Sequence, residues 1–176
     1  PIALAYAAAV ARKTLGEMPD KVVVEASGSI IKNVKSVIVP NTGHLKGINA
    51  AAAAGIVAGD PDKKLEVIAT VSQEQIRQMK QFMEEVPIQV VHMEDGCTFD
   101  IIVTVFSGKS YAKVRIANFH TNIVLIEKNG EVLKSEAVSD DSEEGLTDRT
   151  LLDMEHIWDF AMTADIDDVK ALLDQQ

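Results

Sequence analysis

The sequence predicts an α+β fold: a mainly antiparallel sheet with flanking helices, with Ala-rich buried helices in the N-terminal part. Three observations carry that expectation. Short β-branched and aromatic runs follow one another at 88–93, 99–106, 111–117 and 123–127, and Asn129-Gly130 then supplies two residues that tolerate the positive φ of a type I′ hairpin turn. A single helical repeat, Ile76, Met79, Phe82 and Met83, precedes those runs. Two alanine-rich segments, about 1–15 and 45–57, lie upstream. Strands in sequential hairpins with helices at their margins favour an antiparallel α+β arrangement, because neighbouring runs can pair through short turns.

Residues 1–15 are too apolar for a surface helix and are expected to be buried, with Gly16 and Pro19 ending the helix. Val22-Val-Val-Glu-Ala26 reads as a strand, Ser27-Gly28-Ser29 as a turn, and Ile30-Ile31 with 36–39 as further extended chain up to Pro40. A helix from about Leu45 to Val57 follows and stops at Gly59-Asp-Pro-Asp62. Leu65–Val71 reads as a strand. Ser72 and Gln75 then stand at the two positions of a capping box. After the hairpin at Asn129-Gly130, residues 131–133 return as a strand, and Ser139–Gly145 is a polar, acidic loop. Leu151, Leu152, Met154, Ile157, Trp158 and Ala161 line one helix, with Trp158 in the core, and Ile166, Val169, Leu172 and Leu173 line another. The expected organisation is 1–64, an Ala-rich part with a candidate substrate loop; 65–134, a β-α-β-β-β part; and 135–176, the acidic loop and last helices.

Composition narrows the function classes. The chain is 47% hydrophobic and 25% charged, within the range of a folded soluble domain. A net charge of −10 with scattered Lys and Arg argues against a nucleic-acid partner, which needs a concentrated basic face. No apolar run has the roughly 20 residues that span a bilayer, so no membrane association is expected. Cys97 is the one cysteine, which excludes an internal disulfide and makes the cytoplasm the default location. The helical start at Pro1 and the helical end at Gln176 suggest a piece of a longer protein.

Most chemical motifs dissolve on inspection. Ser107-Gly-Lys-Ser110 lacks the earlier glycine of a phosphate-binding loop, since Val103 stands there, and it lies between two strands. Cys97 with His92 is too few ligands for structural zinc, and Asp95-Gly96 is first a turn. His44, His120 and His156 share no ligand spacing; His120 shapes a turn, and His156 is an ordinary, partly buried side chain. The stretch around Pro40 holds more. Pro40 directs the chain out of the sheet, and Asn41, Thr42 and Gly43 then offer backbone amides and short polar groups before a helix, a setting that suits a carboxylate.

Ser27-Gly-Ser-Ile-Ile-Lys-Asn-Val-Lys-Ser-Val-Ile-Val-Pro-Asn-Thr-Gly43, with the Ala-rich helix after it, resembles the L-cysteine desulfidases and serine dehydratase alpha-chain-like proteins. Pro1–Ala9 resembles the first helix of that family. The resemblance implies the N-terminal fragment of a pyridoxal-independent lyase that converts L-cysteine or L-serine to pyruvate and ammonia. A 4Fe–4S cluster in the parent protein would act as Lewis acid, and this chain would bind no cofactor itself. The family's Gly-Cys-Thr-Glu cysteine and cluster cysteines are absent here, so no catalytic residue is assigned. Ser27, Gly28, Asn33, Asn41, Thr42 and Gly43 are the expected substrate-binding residues, for a small amino acid and beside the rest of the parent chain. A different class, a non-catalytic amino-acid-sensing or oligomerisation module, is the alternative, and it leaves homo-oligomer formation open.

Overall fold

The computed structural model describes residues 1–138 and 152–173, and the chain divides into two compact units, Pro1–Asp140 and Asp141–Gln176. The first unit holds the sheet. Its strands are β1 (Lys21–Ser27), β2 (Ile88–Met93), β3 (Asp100–Ser107), β4 (Ser110–Ala117), β5 (Ile123–Lys128) and β6 (Glu131–Ser135), in spatial order β2-β1-β3-β4-β5-β6. The sheet is mixed but mostly antiparallel, as predicted: only β1 and β2 run parallel. That pair is the one whose connection contains helices, which parallel neighbours require. Asn129 (φ 51°) and Gly130 (φ 85°) make the β5–β6 turn in the left-handed region, and Gly108 (φ 55°) turns β3 into β4 within the phosphate-loop look-alike.

Strand alternation sets the core face. Val22 and Val24, Ile101, Val103 and Val105, and Ala112, Val114 and Ile116 are buried, while Val23, Ile102, Phe106, Tyr111 and Arg115 on the other face are partly exposed. Helix α1 (Ile2–Leu15) lies across the core side of β3 and β4 and against α3 (Gly47–Ala58). Both helices are buried, as the alanine content predicts. Gly16 ends α1 at φ 92°, its N–H donating to the Arg12 carbonyl. A Cβ on Gly55 would stand 2.0 Å from the Ala5 carbonyl oxygen, so the two backbones meet at this point. Small side chains permit the approach, and dispersion contacts between close backbones reward it.

Two stretches depart from the sequence reading. Residues 28–34, expected as turn and extended chain, form the short helix α2 (Gly28–Val34), with Ile30 and Val34 buried one turn apart. The i, i+4 spacing of those two side chains outweighs the β propensity of an Ile/Val-rich stretch. Residues 65–71 are not a strand. A 3-10 turn covers Pro61–Glu66, started by Pro61 and by the Asp60 carboxylate accepting the Asp62 N–H, and Val67 and Ile68 then plug the core individually. Helix α4 (Gln73–Glu85) has the predicted capping box from Ser72 and Gln75 and buries Ile76, Met79 and Phe82.

The second unit contains α5 (Met154–Thr163) and α6 (Ile166–Leu173). Asp153 caps α5, and the His156 backbone N–H and then its ring hold the Asp153 carboxyl below its ordinary value. Trp158, expected in the core, is 68% exposed, and His156 is likewise exposed. The spacing of the apolar residues is helical, as α5 shows, but helical spacing does not by itself bury Trp158. The acidic loop 139–145, Leu151 and the side chains of Leu172 and Leu173 lie outside the described residues. Among the described residues, no helix is long and apolar enough to cross a membrane.

Candidate ligand-binding site

A cavity of about 360 Å³ opens where four elements meet. The start of α1 contributes Pro1, Ala3 and Leu4; α2 contributes Ser29, Ile30, Asn33 and Val34. The approach to β3 contributes Thr98 and Phe99, β3 itself contributes Ile101, and the β4–β5 turn contributes His120. Leu4, Ile30 and Ile101 are buried and form an apolar floor. Ser29, Asn33, Thr98 and His120 are exposed and form a polar mouth. An apolar lining with a few convergent hydrogen-bonding groups is the usual make-up of a small-molecule site.

Local chemistry fixes each wall. Ser27 is buried and its Oγ donates to the Thr98 carbonyl at 2.7 Å, which ties the start of α2 to the segment leading into β3. Gly28 lies beside His92 of β2: a Cβ there would be 3.1 Å from the imidazole Nε2. The Phe99 and His120 rings stack at 4.5 Å, tilted by 47°. Asn118, in the left-handed region at φ 66°, donates its N–H to the Phe99 carbonyl and brings the turn to that ring. Beneath Phe99 is Asp100, whose carboxylate has no exposure. Arg115 grips it with two hydrogen bonds, Nε to Oδ1 at 3.0 Å and Nη2 to Oδ2 at 2.6 Å, and the Cys97 N–H donates to Oδ2 at 3.2 Å. The carboxylate, first by hydrogen bonding, raises the pKa of Arg115 above its ordinary value.

The predicted site residues separate into two groups. Asn33 lines the cavity, and Ser27 and Gly28 stand directly behind its wall. Asn41, Thr42 and Gly43 lie elsewhere, in the loop before α3. Asn41 Nδ2 donates to the Ile68 and Ala69 carbonyls at 3.0 and 3.3 Å, and the buried Thr42 hydroxyl donates to the Val39 carbonyl at 2.7 Å. Gly43 adopts φ 65° against Ile76. Thr42→Val is therefore expected to cost about 1 kcal/mol of stability, read from urea unfolding, with ligand affinity at the cavity unchanged.

Sequence reasoning missed Phe99, Ile30 and the Asp100–Arg115 pair. A carboxylate opening an apolar strand was a usable signal, because a buried carboxylate needs a cation nearby. A second hollow, about 330 Å³, lies on the far face of the sheet among Val23, Phe106 and Tyr111, walled by a single layer.

The implied iron–sulfur cluster finds no fit in these residues. Clusters are held by several thiolates, and Cys97 is the chain's sole cysteine. Among the described residues no three His, Cys, Asp or Glu side chains converge as a metal cage.

The chain is similar along its whole length to curated proteins named UPF0597 protein. It is 53% identical over 176 residues to one from Desulfitobacterium hafniense, 42% identical over 176 residues to one from Lachnoclostridium phytofermentans and 40% identical over 177 residues to one from Treponema denticola. The chain spans 41–42% of the length of these relatives. No family model matches the chain, and no solved structure matches it. These relatives correct the resemblance drawn from Ser27–Gly43: the matching proteins carry the UPF0597 name, not that of a cysteine desulfidase or serine dehydratase alpha chain. The reading as a fragment of an iron–sulfur lyase, with its desulfidase and serine dehydratase-like activity, falls with it.

Proposed function

We propose that this chain is a ligand-binding domain that takes a small molecule, with an apolar body and a hydrogen-bonding end, into the cavity between α1, α2, β3 and the β4–β5 turn. One observation carries the reading: four separate elements wall a volume of about 360 Å³ with an apolar floor and a polar mouth. Among the described residues on that wall, His120 and Pro1 carry the titratable groups, and the apolar floor beneath a few polar side chains supports binding by shape and hydrogen bonds. The ligand's apolar part meets Leu4, Ile30 and Ile101, and its polar end meets Asn33 and His120. Ser27 and Gly28 hold the wall in place, and the proposal gives Asn41, Thr42 and Gly43 framework work in the other loop.

Amino acids, hydroxy acids and short carboxylic acids have the right size and belong in the first panel of ligands. One chain supplies every wall, so binding requires no second copy. A cytoplasmic setting is part of the proposal, supported by the single thiol of Cys97, and the net charge of −10 supports the absence of a nucleic-acid partner. The test is calorimetric titration of the chain with that panel, followed by Asn33→Ala and His120→Ala. Both residues are exposed, so the fold should survive. Each substitution is expected to weaken binding about tenfold, the effect of one hydrogen bond. Binding that is unchanged in both variants would remove the cavity from consideration.

A further inference from the structure

The second unit, Asp141–Gln176, falls below the roughly 40 residues that usually suffice for an independent core. Its helices show the consequence. No described residue of α5 is buried, and Met154, Ile157, Trp158, Phe160, Met162 and Ile166 are between 48% and 79% exposed. Single exposed apolar residues are ordinary, but a helix carrying this many marks an interaction surface. The charged residues interspersed with them are mostly acidic: Asp153, Glu155, Asp159, Asp165 and Asp167 against His156 and Lys170. Anionic bilayer surfaces attract helices with a Lys/Arg-rich polar face, so this pattern argues against a membrane.

We propose that α5 and α6 dock onto the polypeptide that accompanies this stretch in its UPF0597 relatives. They would seat their apolar residues in a groove with an apolar floor and a cationic rim. Two observations choose that occupant. The matched stretch is only 41% of the Desulfitobacterium hafniense relative, so the larger share of that chain lies outside the match and is available to cover α5. The acidic residues around the apolar ones ask for a complementary basic border, which would orient the docked helices. A second copy of this chain would bring the same acidic residues against each other and is disfavoured by repulsion.

Hydrogen exchange read by mass spectrometry tests this on two intact proteins, the 176-residue chain and the full-length Desulfitobacterium hafniense relative. In the chain alone, the amides of 154–163 are expected to exchange rapidly, and acrylamide should quench the chain's one tryptophan, Trp158, freely. In the relative, the positions aligned with 154–163 are expected to be protected about a hundredfold more. Equal exchange in the two proteins would overturn the proposal. So would protection in the chain alone that grows with its concentration, which would make a second copy the occupant. A blue shift of Trp158 emission on adding vesicles of anionic phospholipid would overturn it in favour of a membrane surface.

Discussion

Gly55→Ala is expected to lower the stability of the first unit by about 3 kcal/mol or more, the upper range for overpacking a core. The added Cβ would stand 2.0 Å from the Ala5 carbonyl oxygen, 2.8 Å from its carbon and 2.9 Å from its Cα. All three are backbone atoms, so no rotamer change relieves the clash. Only separation of α1 from α3 does, and that loosens Ala50–Ala54 from the helix they pack beside. Gly59 is the informative comparison. A Cβ there meets the Gly55 carbonyl oxygen at 2.4 Å and Ala9 Cβ at 2.7 Å, but the residue sits at the end of α3, where the chain can shift. Gly16→Ala meets nothing within 4 Å and carries only the cost of the left-handed backbone, about 1 kcal/mol. Urea unfolding should rank the three losses in that order. A Gly55→Ala loss no larger than that of Gly16→Ala would mean that α1 and α3 do not touch at Ala5.

Asp100→Ala is expected to cost about 3–5 kcal/mol, the penalty for removing one partner of a buried ion pair. The carboxylate is fully buried and accepts from both Arg115 and the Cys97 N–H. Its loss leaves a guanidinium that is only 28% exposed and an amide without its acceptor. Arg115→Met should cost less than Asp100→Ala, because part of the arginine already faces water, and Asp100→Asn should fall between full retention and Asp100→Ala, because an amide oxygen still accepts from Cys97. Combining Asp100→Ala with Arg115→Met should recover part of the loss, since no unpaired charge remains. Strictly additive losses in that cycle would show the two groups acting independently. Phe99 and Ile101 flank Asp100 in sequence, so weakened ligand binding should accompany the destabilisation.

Local pattern and long-range placement differed in how legible they were. The strands at 22–26, 101–105 and 112–116 were legible because short β-branched runs bounded by turn residues favour extended chain, and Asn129-Gly130 fixed the β5–β6 turn by its φ requirements. Ile30 and Val34 were misread because a seven-residue helix gives only one i, i+4 pair, in a stretch whose composition favours strand. Leu65–Val71 had strand composition but is held in turns, with Val67 and Ile68 filling the core individually. Trp158 was assigned to a core from helical spacing; the spacing describes the helix correctly and says nothing of what covers it.

The site was harder to foresee than the fold. Leu4, Asn33, Phe99 and His120 come from four parts of the chain and meet only through sheet order. Asn33, Ser27 and Gly28 were singled out only through the resemblance over Ser27–Gly43, not through any reading of α2, and the structure places Asn33 on the cavity wall. The partners from β3 and the β4–β5 turn depended on β1 lying beside β3, which no spacing reveals. The loop at Asn41–Gly43 drew attention through exposed-looking polar residues, yet two of its side chains hydrogen-bond to backbone carbonyls of the same fold.

The most direct test of the ligand-binding reading is methyl and amide NMR of the 176-residue chain titrated with the small-molecule panel. A ligand that occupies the cavity is expected to move the signals of Leu4, Ile30, Asn33, Ile101 and His120 together, with one saturating isotherm. Titrations that leave those five unmoved, or that instead perturb Val23, Phe106 and Tyr111 on the far face of the sheet, would contradict it.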